Sequence, residues 1–175
     1  ALTLGLNGAF TDASVKNDFA PTVIPQQGFD VILNTGLAGD VMPYVPEWAW
    51  SATGDYTFTM GKGLSGQVGA SFRWVGDRVN GTTERQRITA SGDPNTVLQE
   101  VVTPPLDIGS YHALDLYARI GRGRWELRAY VNNVTGEGGW STLEPLDSAV
   151  TGQRAHLVGV PIQPRTFGLE LDFRF

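Results

Sequence analysis

Ser110, His112 and Asp115 form the one cluster in the chain that could carry bond chemistry, as a hydroxyl nucleophile, an imidazole base and a carboxylate to orient the base. Their spacing works against it. In an extended strand successive side chains alternate between faces, so Ser110 and His112 share one face and Asp115 takes the other. A membrane-embedded hydrolase would then rest on His112 alone, and His112 reads instead as an interfacial side chain beside aromatics. His156 has no partner at metal-ligand spacing. Cysteine is absent, which removes thiolate metal sites, disulfides and thiol nucleophiles together. No catalytic residue, no metal site and no cofactor is expected.

The remaining polar candidates suit binding. Tyr44, Arg85, Arg87, Trp140, Arg154 and His156 lie in long connections and are of types that hold an anionic or aromatic small-molecule ligand. Arg73, Asp77, Asp115, Arg119, Glu126, Arg128, Glu170, Asp172 and Arg174 recur at one parity of periodic segments. There they could line a substrate path or form cross-strand charge pairs.

The elements that position both sets are two-faced strands. The last eleven residues put Phe167, Leu169, Leu171, Phe173 and Phe175 on one side and Thr166, Gly168, Glu170, Asp172 and Arg174 on the other. The same pattern predicts strands at about 2–12, 47–60, 64–77, 111–120, 124–135 and 165–175. Within these spans the charged side chains fall at the parity opposite the apolar one, Asp12 and Arg165 at the span ends excepted. About ten residues at roughly 3.3 Å each, tilted near 45°, rise about 23 Å, enough for the apolar band of an outer membrane. Gly61-Lys62-Gly63 and Gly121-Arg122-Gly123 read as tight turns, whereas 13–46, 78–110 and 136–164 are long. In the long connection 78–110, Glu84 to Thr89 and Thr96 to Val102 read as a hairpin around Ser91-Gly-Asp-Pro-Asn95.

Aromatics on the apolar parity sort by height. Phe10, Trp48, Trp50 and Trp74 lie toward the long connections, and Phe58, Trp125, Phe173 and Phe175 toward the short turns. Two interfacial girdles would look like this. No run of 18 apolar residues exists, so no transmembrane helix is available. With 13 Lys+Arg against 18 Asp+Glu, the net charge is 13 − 18 = −5, which argues against a nucleic-acid partner. The expectation is an all-β, antiparallel, up-and-down transmembrane barrel wall.

Several motifs carry a resemblance to a known family. Gly39-Asp-Val-Met-Pro43-Tyr-Val-Pro46-Glu-Trp48 resembles a proline-bearing lead-in to a late barrel strand, and Asp55-Tyr56-Thr-Phe58 resembles the segment after it. Trp125-Glu-Leu-Arg-Ala-Tyr-Val-Asn-Asn133-Val134 resembles a penultimate strand. Pro164-Arg165-Thr166-Phe167-Gly168 with Phe173-Arg174-Phe175 resembles a terminal one. In order and spacing these are similar to the C-terminal end of the barrel in TonB-dependent outer-membrane receptors. Val134-Thr-Gly-Glu137 departs from the family pattern, which more often has an aromatic and an aspartate there.

The resemblance implies that the chain is the last six strands of a barrel of about 22, lacking the plug domain and its own N-terminus. It implies bacterial outer-membrane localisation, with the C-terminus periplasmic and the long loops extracellular. The implied function is uptake of a scarce nutrient: a siderophore or metal chelate, cobalamin, or an oligosaccharide. Implied partners are outer-membrane lipid, the barrel assembly machinery, a small-molecule ligand and, through the missing plug, a TonB-type energy-coupling protein. Phe167, Leu169, Leu171, Phe173 and Phe175 match the terminal pattern that assembly machinery reads. The alternative is an oligomeric pore or binding barrel assembled from several short chains, because one closed chain of this type needs at least about eight strands.

Overall fold

A computed structural model describes residues 1–61, 63–147 and 154–175, with Asp147, Arg154 and Ala155 described by backbone alone. Lys62 of the first tight turn lies outside the described residues. All regular structure among them is β.

Six strands form one antiparallel wall. They are β1 (Leu2–Phe10), β4 (Trp48–Thr59), β5 (Leu64–Val75), β10 (Tyr111–Arg122), β11 (Trp125–Asn132) and β14 (Thr166–Phe173), paired in that order. Each pairs only with its neighbour among the six, so the wall is a meander, and β1 and β14 are its two open edges. The 12-residue strands would rise about 28 Å at a tilt near 45°.

The wall is a single layer and has no core of the usual kind. Its apolar face stays open: Leu4 is 74% exposed and Leu169 76%. An apolar surface this continuous is untenable in water and marks a membrane or partner face. Fully buried residues lie instead under the long connections, where Ile108 is 1% exposed and Ala113 2%.

The long connections are more structured than their sequence suggests. Between β1 and β4 stand β2 (Thr22–Pro25) and β3 (Phe29–Thr35); between β5 and β10 stand β6 (Arg78–Val79), β7 (Glu84–Ala90), β8 (Asp93–Thr103) and β9 (Asp107–Ile108). Strands β2, β3, β7 and β8 join into a four-stranded sheet built from two separate connections. The third connection folds back as β12 (Trp140–Asp147) and β13 (Arg154–Pro161).

Three local readings of the sequence are corrected. The β7–β8 hairpin turns at Ser91-Gly92, with Gly92 at φ 75°, and its strand resumes at Asp93. Irregular register at Thr89 and Ala90 absorbs the residues expected in a five-residue turn. Second, β10 runs on to Arg122, and the reversal uses Gly123-Arg124, with Gly123 at φ 62°. Glycine first in a two-residue hairpin loop is the arrangement that suits strand twist. Arg122 therefore falls on the apolar parity, level with Leu64 and Trp125. Third, β5 stops at Val75 and β14 at Phe173, so Asp77 and Arg174 lie beyond the regular strands rather than on them.

Candidate functional site

The polar face is built by register. Asp55, Gly69, Tyr117, Tyr130 and Gly168 lie in one row across five strands. The adjacent row is Thr57, Gln67, Arg119, Arg128 and Glu170. Each tyrosine lies over a glycine, Tyr117 over Gly69 and Tyr130 over Gly168, in space that a Cβ would fill. Absence of a side chain there lets the rings lie against the wall.

Polar atoms on this face are linked. Tyr117 donates its hydroxyl to Asp55 Oδ1, and Gln67 Nε2 reaches both the Tyr117 hydroxyl at 2.8 Å and Asp55 Oδ1 at 3.2 Å. Arg119 donates to Gln67 Oε1 and pairs with Glu126 at 3.6 Å. Arg128 pairs with Glu170 at 3.1 Å and lies over both tyrosine rings, 5.3 Å from Tyr117 and 5.4 Å from Tyr130.

Four of the nine expected charges, Arg119, Glu126, Arg128 and Glu170, are thus brought together. The others are dispersed. Asp115 accepts the Asn133 amide at 2.8 Å, and Asp77 accepts the Ser110 amide at 2.6 Å. Arg73 faces Ser51 and Ala113 in register at the far end of the wall. Asp172 and Arg174 border a small cleft near the Gly123-Arg124 turn. Asp55, Gln67, Tyr117 and Tyr130 complete the network without having stood among the candidates; their shared parity was the available signal.

His112 sits on the apolar parity opposite Trp74, with its ring stacked on Phe72 at 5.9 Å and its Nδ1 3.8 Å from Glu137. Asp115 is on the other face. The three residues do not assemble.

At the long-connection end the candidates do not converge on one cleft. Tyr44, held at φ 62°, donates its hydroxyl to Glu144 of β12, and Asn80 Nδ2 meets the other carboxylate oxygen at 3.4 Å. Burial, then the hydrogen bond to Glu144 and its negative charge, push the Tyr44 phenol up to about 12. Arg78 donates to the carbonyls of Trp140 at 2.8 Å and Ser141 at 3.4 Å. Three connections are tied at this point, by residues 100 apart in sequence for Tyr44 and Glu144. Asp40 ties two of them again: its carboxylate accepts from the Leu37 and Thr83 amides and the Thr83 hydroxyl. Partial burial raises its pKa, but these hydrogen bonds outweigh that and hold it below the usual value.

Arg85 pairs with Glu100 at 3.2 Å on the β7–β8 hairpin, and Arg87 lies on the same strand. Trp140 opens β12, and His156 is exposed on β13 opposite Leu146. The Arg154 side chain lies outside the described residues. A separate cleft of about 230 Å³ is bordered by Asp12, Glu47, Asp77, Arg78 and Asp107; Asp77 alone of these stood among the candidates, as a lumen-facing charge.

A single-layer antiparallel wall, apolar on one face and hydrogen-bonded on the other, is part of a membrane-spanning β-barrel. Residues 1–134 match the family described as TonB dependent receptor-like, beta-barrel, and the chain belongs to that family. Members of this family are outer-membrane transport receptors. No curated protein and no solved structure matches the chain.

Proposed function

We propose that this chain is the wall and loop portion of a receptor that imports a scarce nutrient across the outer membrane by active transport. The nutrient class is a siderophore or other metal chelate, cobalamin, or an oligosaccharide. The observation that supports this most directly is the six-strand wall with one face for lipid and a networked opposite face, in a chain of this family.

In this reading the short turns and C-terminus are periplasmic and the long connections extracellular. Tyr44, Arg85, Arg87, Trp140, Arg154 and His156 contribute to ligand capture. The inward charges Arg73, Asp115, Arg119, Glu126, Arg128, Glu170 and Asp172 face the lumen and a plug supplied by the rest of the receptor, which a TonB-type coupling protein moves; Asp77 and Arg174 stand just past the strand ends. Phe167, Leu169, Leu171, Phe173 and Phe175 present the apolar alternation that barrel assembly machinery reads, using the same face that later meets lipid.

The test is uptake of labelled ferric chelate, cobalamin and oligosaccharide by cells with and without the receptor, before and after the proton gradient is collapsed. Accumulation of one ligand that needs both receptor and gradient is expected. Entry that needs the receptor but ignores the gradient would instead support an open pore.

A further inference from the structure

Among the described residues of the six wall strands, Arg122 is the one permanently charged side chain on the apolar face. It stands at the end of β10 in a row formed by Leu64, Arg122, Trp125 and Phe173, next to the Gly123-Arg124 turn. Its guanidinium is exposed and has no protein acceptor among the described residues, and the same holds for Arg124. Arg124 and Arg174 border a cleft of about 140 Å³ together with Ser65, Gly121, Glu126 and Asp172 of the polar parity, so Arg122 is the cation left to the apolar side. A lone arginine amid a Trp and a Phe at the rim of an apolar face sits where headgroups lie, since the cost of charge on that face falls to about 0–1 kcal/mol near the interface.

Farther up the same face is a shallow hollow of about 800 Å³ bordered by Val68, Leu116, Ala118, Ala129, Phe167 and Leu169. Small side chains at Ala118 and Ala129, side by side in register, make it. Ala118 and Leu116 lie four and six residues from Arg122, roughly 13–20 Å along the strand and about 9–14 Å in depth at a 45° tilt. One leaflet's hydrocarbon is about 15 Å thick. The hollow is therefore at the depth of acyl-chain ends belonging to a lipid whose phosphate is at Arg122.

We propose that this strip is a seat for one anionic glycerophospholipid: Arg122 takes the headgroup phosphate, and an acyl chain runs past Ile120 and Leu127 into the hollow. The proposal rests on the transport-receptor reading for the membrane it names. The two observations are independent, a charge with no protein partner and a chain-sized hollow, and they align on one strand. Charge complementarity selects a phosphate-bearing lipid over an apolar protein surface.

The experiment uses the receptor containing this chain, purified from outer membranes and titrated with long-chain and short-chain phosphatidylglycerol, with bound lipid counted by native mass spectrometry. Arg122→Gln should weaken long-chain binding about fivefold, while Arg122→Lys keeps most of it and Arg124→Gln leaves it unchanged. Ala118→Leu/Ala129→Leu, which fills the hollow with apolar atoms, should weaken the long-chain lipid and leave the short-chain lipid unchanged. Equal binding by Arg122→Gln and wild type overturns the seat, as does a second receptor copy occupying the strip in place of lipid. Wild-type receptor that fractionates with the outer membrane yet binds no phosphatidylglycerol overturns the seat alone; wild-type protein absent from that fraction overturns both the seat and the transport reading.

Discussion

Arg128 and Glu170 face each other across the β11–β14 ladder with Nη1 and Oε2 3.1 Å apart, and the same guanidinium lies over Tyr117 and Tyr130. Both side chains are nearly half exposed, 42% and 47%, so the ion pair by itself should contribute no more than about 1 kcal/mol. Two exposed cation–π contacts add about 0.5–1 kcal/mol each. Arg128→Met should therefore destabilise the folded wall more than Glu170→Gln does. A double-mutant cycle on folding into lipid vesicles measures this, and equal single-mutant costs would show that the tyrosines contribute nothing to holding Arg128.

Leu116 and Thr53 lie at similar heights but on opposite faces, since Leu116 is level with Ala70 and Gly54, and Thr53 with Ser71. An arginine placed at Leu116 must face hydrocarbon, at a cost of roughly 2–4 kcal/mol near the midplane. At Thr53 it would join the polar face. Urea titrations of the vesicle-folded variants should separate Leu116→Arg from Thr53→Arg by most of that amount. If Thr53→Arg proves the more damaging, the faces have been assigned the wrong way round.

Gly69 keeps the Tyr117 ring against the wall, and a methyl group there would collide with that ring and with Asp55 Oδ1. The ring cannot swing away without giving up its hydrogen bonds to Asp55 and Gln67. Gly69→Ala is expected to cost about 1–3 kcal/mol, the range for forcing extra atoms into a fitted site. Gly8→Ala, whose new Cβ would meet only Trp50 Cβ at 3.9 Å, should be close to neutral. Comparable losses at both sites would mean that the glycines matter for backbone freedom and not for the rings.

The wall was legible because strand parity is a local property. Asp115 beside Leu116, or Glu170 between Leu169 and Leu171, declares its face from the sequence alone. Arg122 was hidden because Gly121-Arg122-Gly123 has a glycine at either end and looks like the turn itself, whereas only Gly123 has the positive φ. The strands β2 and β3 flank Gln26-Gln27-Gly28, with Gly28 at φ 86°, but β3 finds its second partner only in β7, from Thr35 beside Glu84 to Phe29 beside Ala90, and nothing within the first connection marks that meeting. The Tyr44–Glu144 tie depends on two connections meeting in space, and nothing in either segment marks it. Residues that work through such long-range meetings, including Asn80, Arg78 and Asp40, need coordinates.

Tyr44 gives that tie a pH dependence. Its phenol is pushed from 10.0 up to about 12 by burial, the Glu144 hydrogen bond and the Glu144 charge, so the folded connections favour the neutral phenol. A group whose folded-state pKa is raised contributes stability that is fully present below the unfolded value and is lost as pH rises through the folded one. The tie should hold below pH 10 and fail as pH approaches about 12. The tyrosinate absorbance difference between wild type and Tyr44→Phe isolates this group, and a difference spectrum titrating near 10 would show that the phenol is not held by Glu144.

The outer edges of β1 and β14 have no β-partner in the wall, and each unpaired backbone group left in hydrocarbon costs several kcal/mol. Strand β14 is apolar on one side throughout, with Phe167, Leu169 and Leu171 all more than 70% exposed, so this edge is both bare and sticky. Closing β1 onto β14 within six strands would need a barrel narrower than the smallest of this type, about eight. The 175-residue chain alone, purified in detergent, should therefore be oligomeric or misfolded, and supplying the strands that flank these edges should give one monodisperse closed species. Hydrogen exchange provides the decisive measurement: fast exchange is expected at the outward amides of β1 and β14 and slow exchange in β5 and β10. A monodisperse monomer of the chain alone with slow exchange in both edge strands would show that the wall closes without help.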